Sequence, residues 1–215
     1  MTTFWPRDRV ARRLLQLYVG LLAYGLSMAL MLRSELGNMP WDVLHEGLAD
    51  ASGLSIGLVT VVVGLAILLG WIPLRERPGL GTISNVVVIG VAVDLGLALV
   101  PVPDALAGRG AFAVAGLLLN AVATAAYIGV RLGSGPRDGL MTGLVRRTGG
   151  SVRVVRTAIE VAVVVTGVLL GGTLGVVTVL YALTIGPLVH ALLPRLTVPA
   201  DAPAARPAPV ARAAG

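Results

Sequence analysis

The chain has 215 residues, of which 56% are hydrophobic and only 13% charged, and its mean hydropathy is +0.88. A folded soluble domain carries about 25% charged residues to keep its surface in water, so this composition excludes a water-covered exterior and implies one that faces lipid. Absence of cysteine excludes disulfides and thiolate metal sites. The net charge of +6 comes from arginine alone, with no lysine available for a Schiff base or a P-loop.

In chain order, residues 1–13 form a basic segment with Arg7, Arg9, Arg12 and Arg13. A helix needs about 20 mostly apolar residues to cross the hydrocarbon, and six stretches qualify: 14–32, 56–72, 82–100, 111–130, 154–170 and 174–193. No convincing cleavage site follows the first, so it is expected to be retained. The charged stretch from Pro73 to Gly79 separates the second from the third, and Gly171-Gly172-Thr173 makes a weaker break before the sixth. An alternative count of five spans would merge or discard a stretch near that weaker break. Residues 14–196 thus read as one transmembrane domain, an all-α bundle of about six spans. Residues 197–215, rich in Ala and Pro without apolar periodicity, read as a disordered cytoplasmic tail.

Arginine placement tests this layout. With the N-terminus inside, fifteen of the 17 arginines fall on the cytoplasmic side and only Arg33 and Arg109 fall outside. Positive charge is retained on the cytoplasmic side of a membrane, so the expected topology is six spans in a bacterial inner membrane with both termini cytoplasmic. Arginines lying between apolar runs set sidedness, which is why no nucleic-acid partner is expected.

A repeat runs through the chain at a fixed offset of 96 residues. Leu36-Gly37-Asn38-Met39-Pro40-Trp41-Asp42 matches Leu132-Gly133-Ser134-Gly135-Pro136-Arg137-Asp138, and the same offset pairs Gly53 with Gly149, Ser55 with Ser151, and Thr82 with Thr178. From Gly20 to Val93 there are 21 identities in 74 positions without a gap. Shared Leu, Val and Gly bias does not set Pro, Asp and Thr in one register, so duplication is inferred, with halves of about 14–100 and 110–196. Three spans per half is an odd number, which makes the expected arrangement an inverted-topology repeat. The loop around Asp42 is acidic and its counterpart around Asp138 is basic, as opposite sides of the membrane require.

In each half a Gly-x-x-Pro-x-Asp element opens a short helical pattern. Pro in a first turn loses no internal bond, Asp complements the helix dipole, and glycine suits the far end. Such a helix of roughly 12 residues is about 18 Å long, too short to span. Two readings stay open. His45, Glu46, Asp50, Arg146 and Arg147 favour a helix lying at the interface, while the alternative is a pair of re-entrant half-helices whose N-termini face a solute.

Polar residues within the spans are candidates for a substrate or ion pathway. They are Asn85, Asp94, Asn120, Glu160 and His190, joined by Pro40, Asp42, Pro136 and Asp138 of the short helices. The repeat sets Asp94 opposite His190, so a carboxylate–imidazole pair is one expectation. Arg156 and Glu160 stand at i,i+4, so an ion pair at the helix entrance is the alternative to a pathway role for Glu160. Asn85 and Asn120 fit interhelical hydrogen bonds, and Trp5, Trp41 and Trp71 fit interface anchors. No catalytic constellation, metal cluster or cofactor motif is evident, and no enzymatic activity is expected.

The residues 36–44, Gly79-Leu80-Gly81-Thr82, Asn85, Gly90, Asp94 and 133–141 resemble the uncharacterised bacterial membrane protein family YczE, within the wider YczE/YyaS/YitT grouping. That resemblance covers most of the chain and implies a multispanning inner-membrane protein with no settled activity, supplying no catalytic residues. Two functions follow as expectations: a small-solute or ion transporter, or a non-transporting accessory protein that docks a partner in the bilayer.

Overall fold

The computed structural model describes residues 8–199, so Trp5 and the tail from 200 onward lie outside the described residues. Those described form eight α-helices: α1 (Val10–Ser34), α2 (Pro40–Ser52), α3 (Ile56–Leu74), α4 (Leu80–Leu99), α5 (Leu106–Gly129), α6 (Pro136–Thr148), α7 (Val152–Leu169) and α8 (Val176–Leu196). Large apolar side chains such as Leu15, Leu69, Val91 and Leu183 stand exposed around the outside. An apolar exterior of this extent is stable only against lipid, and the protein is a helical membrane bundle.

Five helices are long and apolar enough to cross a membrane: α1, α3, α4, α5 and α8. The expected fifth span, α7, has 18 residues and carries Arg153, Arg156 and Glu160 in its first half, which leaves it short of that standard.

Backbone conformation follows the 96-residue offset closely. The helices α1 to α4 begin at residues 10, 40, 56 and 80, and α5 to α8 begin 96 positions later in each case. The left-handed residues Glu35, Gly37, Gly53 and Arg75 recur as Arg131, Gly133, Gly149 and Gly171. Ser55 and Ser151 cap α3 and α7 by accepting from Leu58 N–H and Val154 N–H, satisfying donors that a helix start leaves free. In the same way Thr82 and Thr178 hydroxyls accept from Gly79 N–H and Gly175 N–H, both at 3.2 Å.

The centre is the crossing of α1 and α5. Gly20 meets Ala123 and the Tyr127 backbone, while Gly116 meets Ser27 and Met31, which are the offset counterparts of those two residues. The contacts at this crossing are thus reciprocal between positions 96 residues apart. Around this crossing α4 packs on α1 and α8 on α5, whereas α2 crosses to α7 and α6 crosses to α3. Each short helix therefore seats in the opposite half.

One pair of relations is unequal. Helices α3 and α4 are tightly joined: a Cβ on Gly90 would stand 2.5 Å from Val61 Cγ2 and 2.6 Å from Gly57 O. Their counterparts α7 and α8 stand apart, and a Cβ on Gly186 would meet nothing within 4 Å.

Two sequence expectations are corrected here. Trp41 and Trp71 are 9% and 2% exposed, so they are core residues and not interface anchors. The tail does not begin at 197, because Val198 is buried and donates its N–H to Gly129 O at 3.0 Å. The first turns of both short helices are buried against other helices, with Pro40, Asp42, Val43 and Pro136 inside the bundle, while Arg146 and Arg147 at the far end of α6 are exposed.

Candidate functional site

Each short helix is aimed inward by the loop before it. At Gly37 (φ 109°) and Gly133 (φ 136°) the chain needs the left-handed region, which glycine enters without a Cβ penalty. The turns are then fastened across the molecule by Val177 N–H to Leu36 O at 3.1 Å and Gly81 N–H to Leu132 O at 2.9 Å. Trp71 Nε1 donates to Pro136 O at 3.0 Å, and Thr82 Oγ1 donates to Ser134 O at 2.7 Å.

Held this way, the two N-terminal tips meet. The Arg137 guanidinium of α6 lies over the Trp41 ring of α2, 4.8 Å from its centroid, and 3.8 Å from Asp42 Oδ1. A guanidinium on an aromatic face gains about 0.5–2 kcal/mol, more when desolvated. Beside the tips is a cavity of about 390 Å³ to which all eight helices contribute. Its polar lining includes Tyr24, His45, Thr60, Asn85, Tyr127, Asp138, Glu160, Tyr181 and His190, with Arg137 and Arg156 supplying positive charge.

One wall is fixed by a hydrogen-bonded chain. Asn120, fully buried, donates through Nδ2 to Ser27 Oγ at 2.9 Å and accepts from Tyr181 OH at 2.9 Å. Ser27 in turn donates to Tyr24 O at 2.6 Å, and the Tyr24 and Tyr127 rings meet edge to face at 6.2 Å. A satisfied network of this kind holds side chains in one arrangement.

Pro40, Asn85, Pro136, Asp138, Glu160 and His190 of the expected pathway line this cavity, with Asp42 at the tips and Asn120 in the wall behind. Glu160 also makes the expected ion pair with Arg156, at 2.9 Å. The expected Asp94–His190 pair is not formed. Asp94 instead accepts from Ser55 Oγ at 2.6 Å and Gly57 N–H at 2.7 Å, capping α3 away from the central cavity. A carboxylate at a helix N-terminus gains from the dipole and two bonds at once, which is why it sits there. His190 remains exposed on α8, at the cavity's edge.

Sequence reading missed Tyr24, His45, Thr60, Tyr127, Arg137, Arg156 and Tyr181. The repeat carried a signal for two of them: Tyr24 is the offset counterpart of Asn120, and Tyr181 that of Asn85. Arg137 and Arg156 were absorbed into the topological count, although both face the cavity.

The chain is similar to several uncharacterised bacterial proteins. The chain is 38% identical over 192 residues to an uncharacterised protein of Haemophilus influenzae, covering 89% of this chain and 87% of that one. It is 31% identical over 177 residues to the uncharacterised membrane protein YczE of Bacillus subtilis, covering 81% of each. A further uncharacterised protein of that bacterium, YyaS, is 27% identical over 181 residues, covering 82% of this chain and 90% of its own. No solved structure matches. Residues 11–194 match the model of a family of unknown function, DUF6198, and the chain belongs to that family of YczE-like membrane proteins.

Proposed function

We propose that the protein carries a small solute or ion across the bacterial inner membrane, through two three-span halves of opposite orientation. The observation that carries this reading is the meeting of two offset-related half-helix tips beside a cavity bordered by every helix. In carriers built from inverted repeats, solute sites lie at the repeat interface near broken or half helices, and access alternates by rocking one half against the other.

The unequal seams support the same reading. With both termini cytoplasmic and α7 counted as the fifth span, the joined end of α3 and α4 faces outward and the parted α7 and α8 face the cytoplasm. One repeat then has the closed form and the other the open form, so exchanging the two forms turns a cytoplasm-facing cavity into an outward-facing one. Arginine distribution favours this orientation.

The test is flux. Purified protein in liposomes, given a panel of small solutes and a proton-sensitive dye, is expected to show uptake that Arg137→Ala or Asp138→Asn abolishes without loss of folded protein. Absence of flux for every solute, with one stoichiometric membrane partner co-purifying, is the result expected of an accessory protein and overturns the transport reading.

A further inference from the structure

The two tips differ in how their carboxylates are met. Asp42 of α2 has His45 Nδ1 at 3.4 Å and the Arg137 guanidinium at 3.8 Å. The offset counterparts of those two partners are Met141 and Trp41, neither of which carries a charge. Asp138 of α6, half-buried and lining the cavity, forms no ion pair among the described residues.

That leaves the cavity with an unbalanced charge. Its charged lining is Arg137, Asp138, Arg156 and Glu160. Arg156 Nε donates to Glu160 Oε1 at 2.9 Å, and Arg137 is shared between Asp42 and the face of Trp41. With both histidines neutral, one negative charge remains, on Asp138. The N-terminus of α6 favours a carboxylate there without neutralising it. A carboxylate withdrawn from water without a partner is costly, and it is relieved either by a proton or by a bound cation.

The surroundings of Asp138 suit an organic cation. Three of the chain's four tyrosines, Tyr24, Tyr127 and Tyr181, line this cavity. Aromatic faces attract ammonium groups, as Trp41 already does for the Arg137 guanidinium. A Cβ on Gly135 would stand 2.8 Å from Tyr127 OH and 3.2 Å from Asp138 Oδ2, so glycine there lets the tyrosine and the carboxylate border the same space. Ile67, Val86, Ile89 and Met141 supply apolar lining. A volume of about 390 Å³ with apolar walls and few polar groups is that of a small-molecule site.

We propose that the cavity binds a small organic monocation, an amine or quaternary ammonium with an apolar body, its charge held by Asp138 among Tyr24, Tyr127 and Tyr181. The single unmatched carboxylate balances one positive charge and not two. That this cation is the cargo rests on the transport reading, whereas binding itself does not and is measured without flux. Protonation of Asp138 removes the charge that holds the cation, so proton and cation compete for one site and binding weakens as pH falls.

The test is thermal unfolding of the purified full chain in tetramethylammonium, choline and benzyltrimethylammonium chlorides, with NaCl and sodium benzenesulfonate as comparisons at equal ionic strength. A ligand that binds only the folded protein raises its unfolding temperature with increasing concentration. Benzyltrimethylammonium is expected to raise the wild-type midpoint, and benzenesulfonate, of similar size and opposite charge, to leave it at the NaCl value. Asp138→Asn should move the response to concentrations at least about tenfold higher. Tyr127→Leu should weaken it less, and Asp94→Asn, outside the cavity, should leave it unchanged. Stabilisation by none of the three organic cations beyond NaCl overturns the proposal, as does equal stabilisation by benzenesulfonate or a full response in Asp138→Asn. The contrast between cation and anion in the wild type decides the matter even where a variant fails to fold. A midpoint that answers to pH but to no organic cation assigns Asp138 to a proton alone and also overturns it. Flux of other solutes without cation binding sinks this inference alone, and cation binding without any flux sinks only the transport reading.

Discussion

Gly90 and Gly186 occupy the same position of the repeat and are expected to answer the same mutation in different ways. In Gly90→Ala the new methyl carbon would stand 2.5 Å from Val61 Cγ2 and 2.6 Å from Gly57 O, the latter a backbone atom that cannot rotate away. Relieving such overpacking forces helices apart at about 1–3 kcal/mol, so this variant is expected to unfold several degrees below wild type. Gly186→Ala meets nothing within 4 Å, and alanine's helix advantage of about 0.8–1 kcal/mol is offset in part by crowding of its Cβ against the Pro187 ring, so it unfolds close to the wild-type temperature. If α7 closes on α8 during transport as α3 closes on α4 here, Gly186→Ala penalises only that second state. A penalty of about 1–3 kcal/mol lowers its population about 5- to 150-fold. The assay pairs thermal unfolding with disulfide trapping, which has no background because the chain contains no cysteine. Cysteines at Val61 and Gly90 should cross-link readily. Those at Thr157 and Gly186, the offset equivalents, should cross-link only as the second state is visited. Equal destabilisation by both alanines, or a 157–186 pair that never reacts while flux persists, refutes the reasoning.

Three further outcomes are expected. Asn120→Leu keeps the volume but strands the Ser27 and Tyr181 hydroxyls, and should cost about 1–3 kcal/mol, read as a lower unfolding midpoint in detergent. Asp94→Ala removes the acceptor for Ser55 and Gly57 and should destabilise by a similar amount while leaving the KM of any transported solute unchanged; a changed KM would return Asp94 to the pathway. Cysteine at Thr148, at the end of α6, should react with a membrane-impermeant reagent only from the cytoplasmic face, and labelling of intact cells would reverse the assigned orientation.

Much of the architecture was legible in the chain because it rests on periodicity and punctuation. Long apolar runs, the Pro-x-Asp starts, Gly53 and Gly149, and the Ser55 and Ser151 caps all mark helix boundaries locally, and each boundary repeats at the same offset. Burial was not legible. The charges on α2 and α6 favoured a surface position, yet Glu46 is satisfied by Asn38 and Thr173, and Arg146 by Glu76 and Leu74 O. Partners from within and across the halves neutralise the cost that sequence reading assigned to water. The site divides in the same way. Equivalent positions in the repeat suggested Asp94 with His190, but Asp94 is held at the start of α3 by Ser55 and Gly57 while His190 lies at the cavity's edge. The pairs that do meet are Trp41 with its own offset counterpart Arg137, and Tyr24 with Tyr127, which the offset does not match.

The crossing of the short helices bears on how the protein is made. Helix α2 seats against α7, and α6 seats against α3, so neither half contains the surface that receives its own tip. During synthesis the first half emerges with the buried carboxylate of Asp42 still unhoused, and its docking ridge arrives more than a hundred residues later. Assembly is therefore expected to finish as a single late step, and a chain severed between α4 and α5 regains its form only when both pieces share one bilayer.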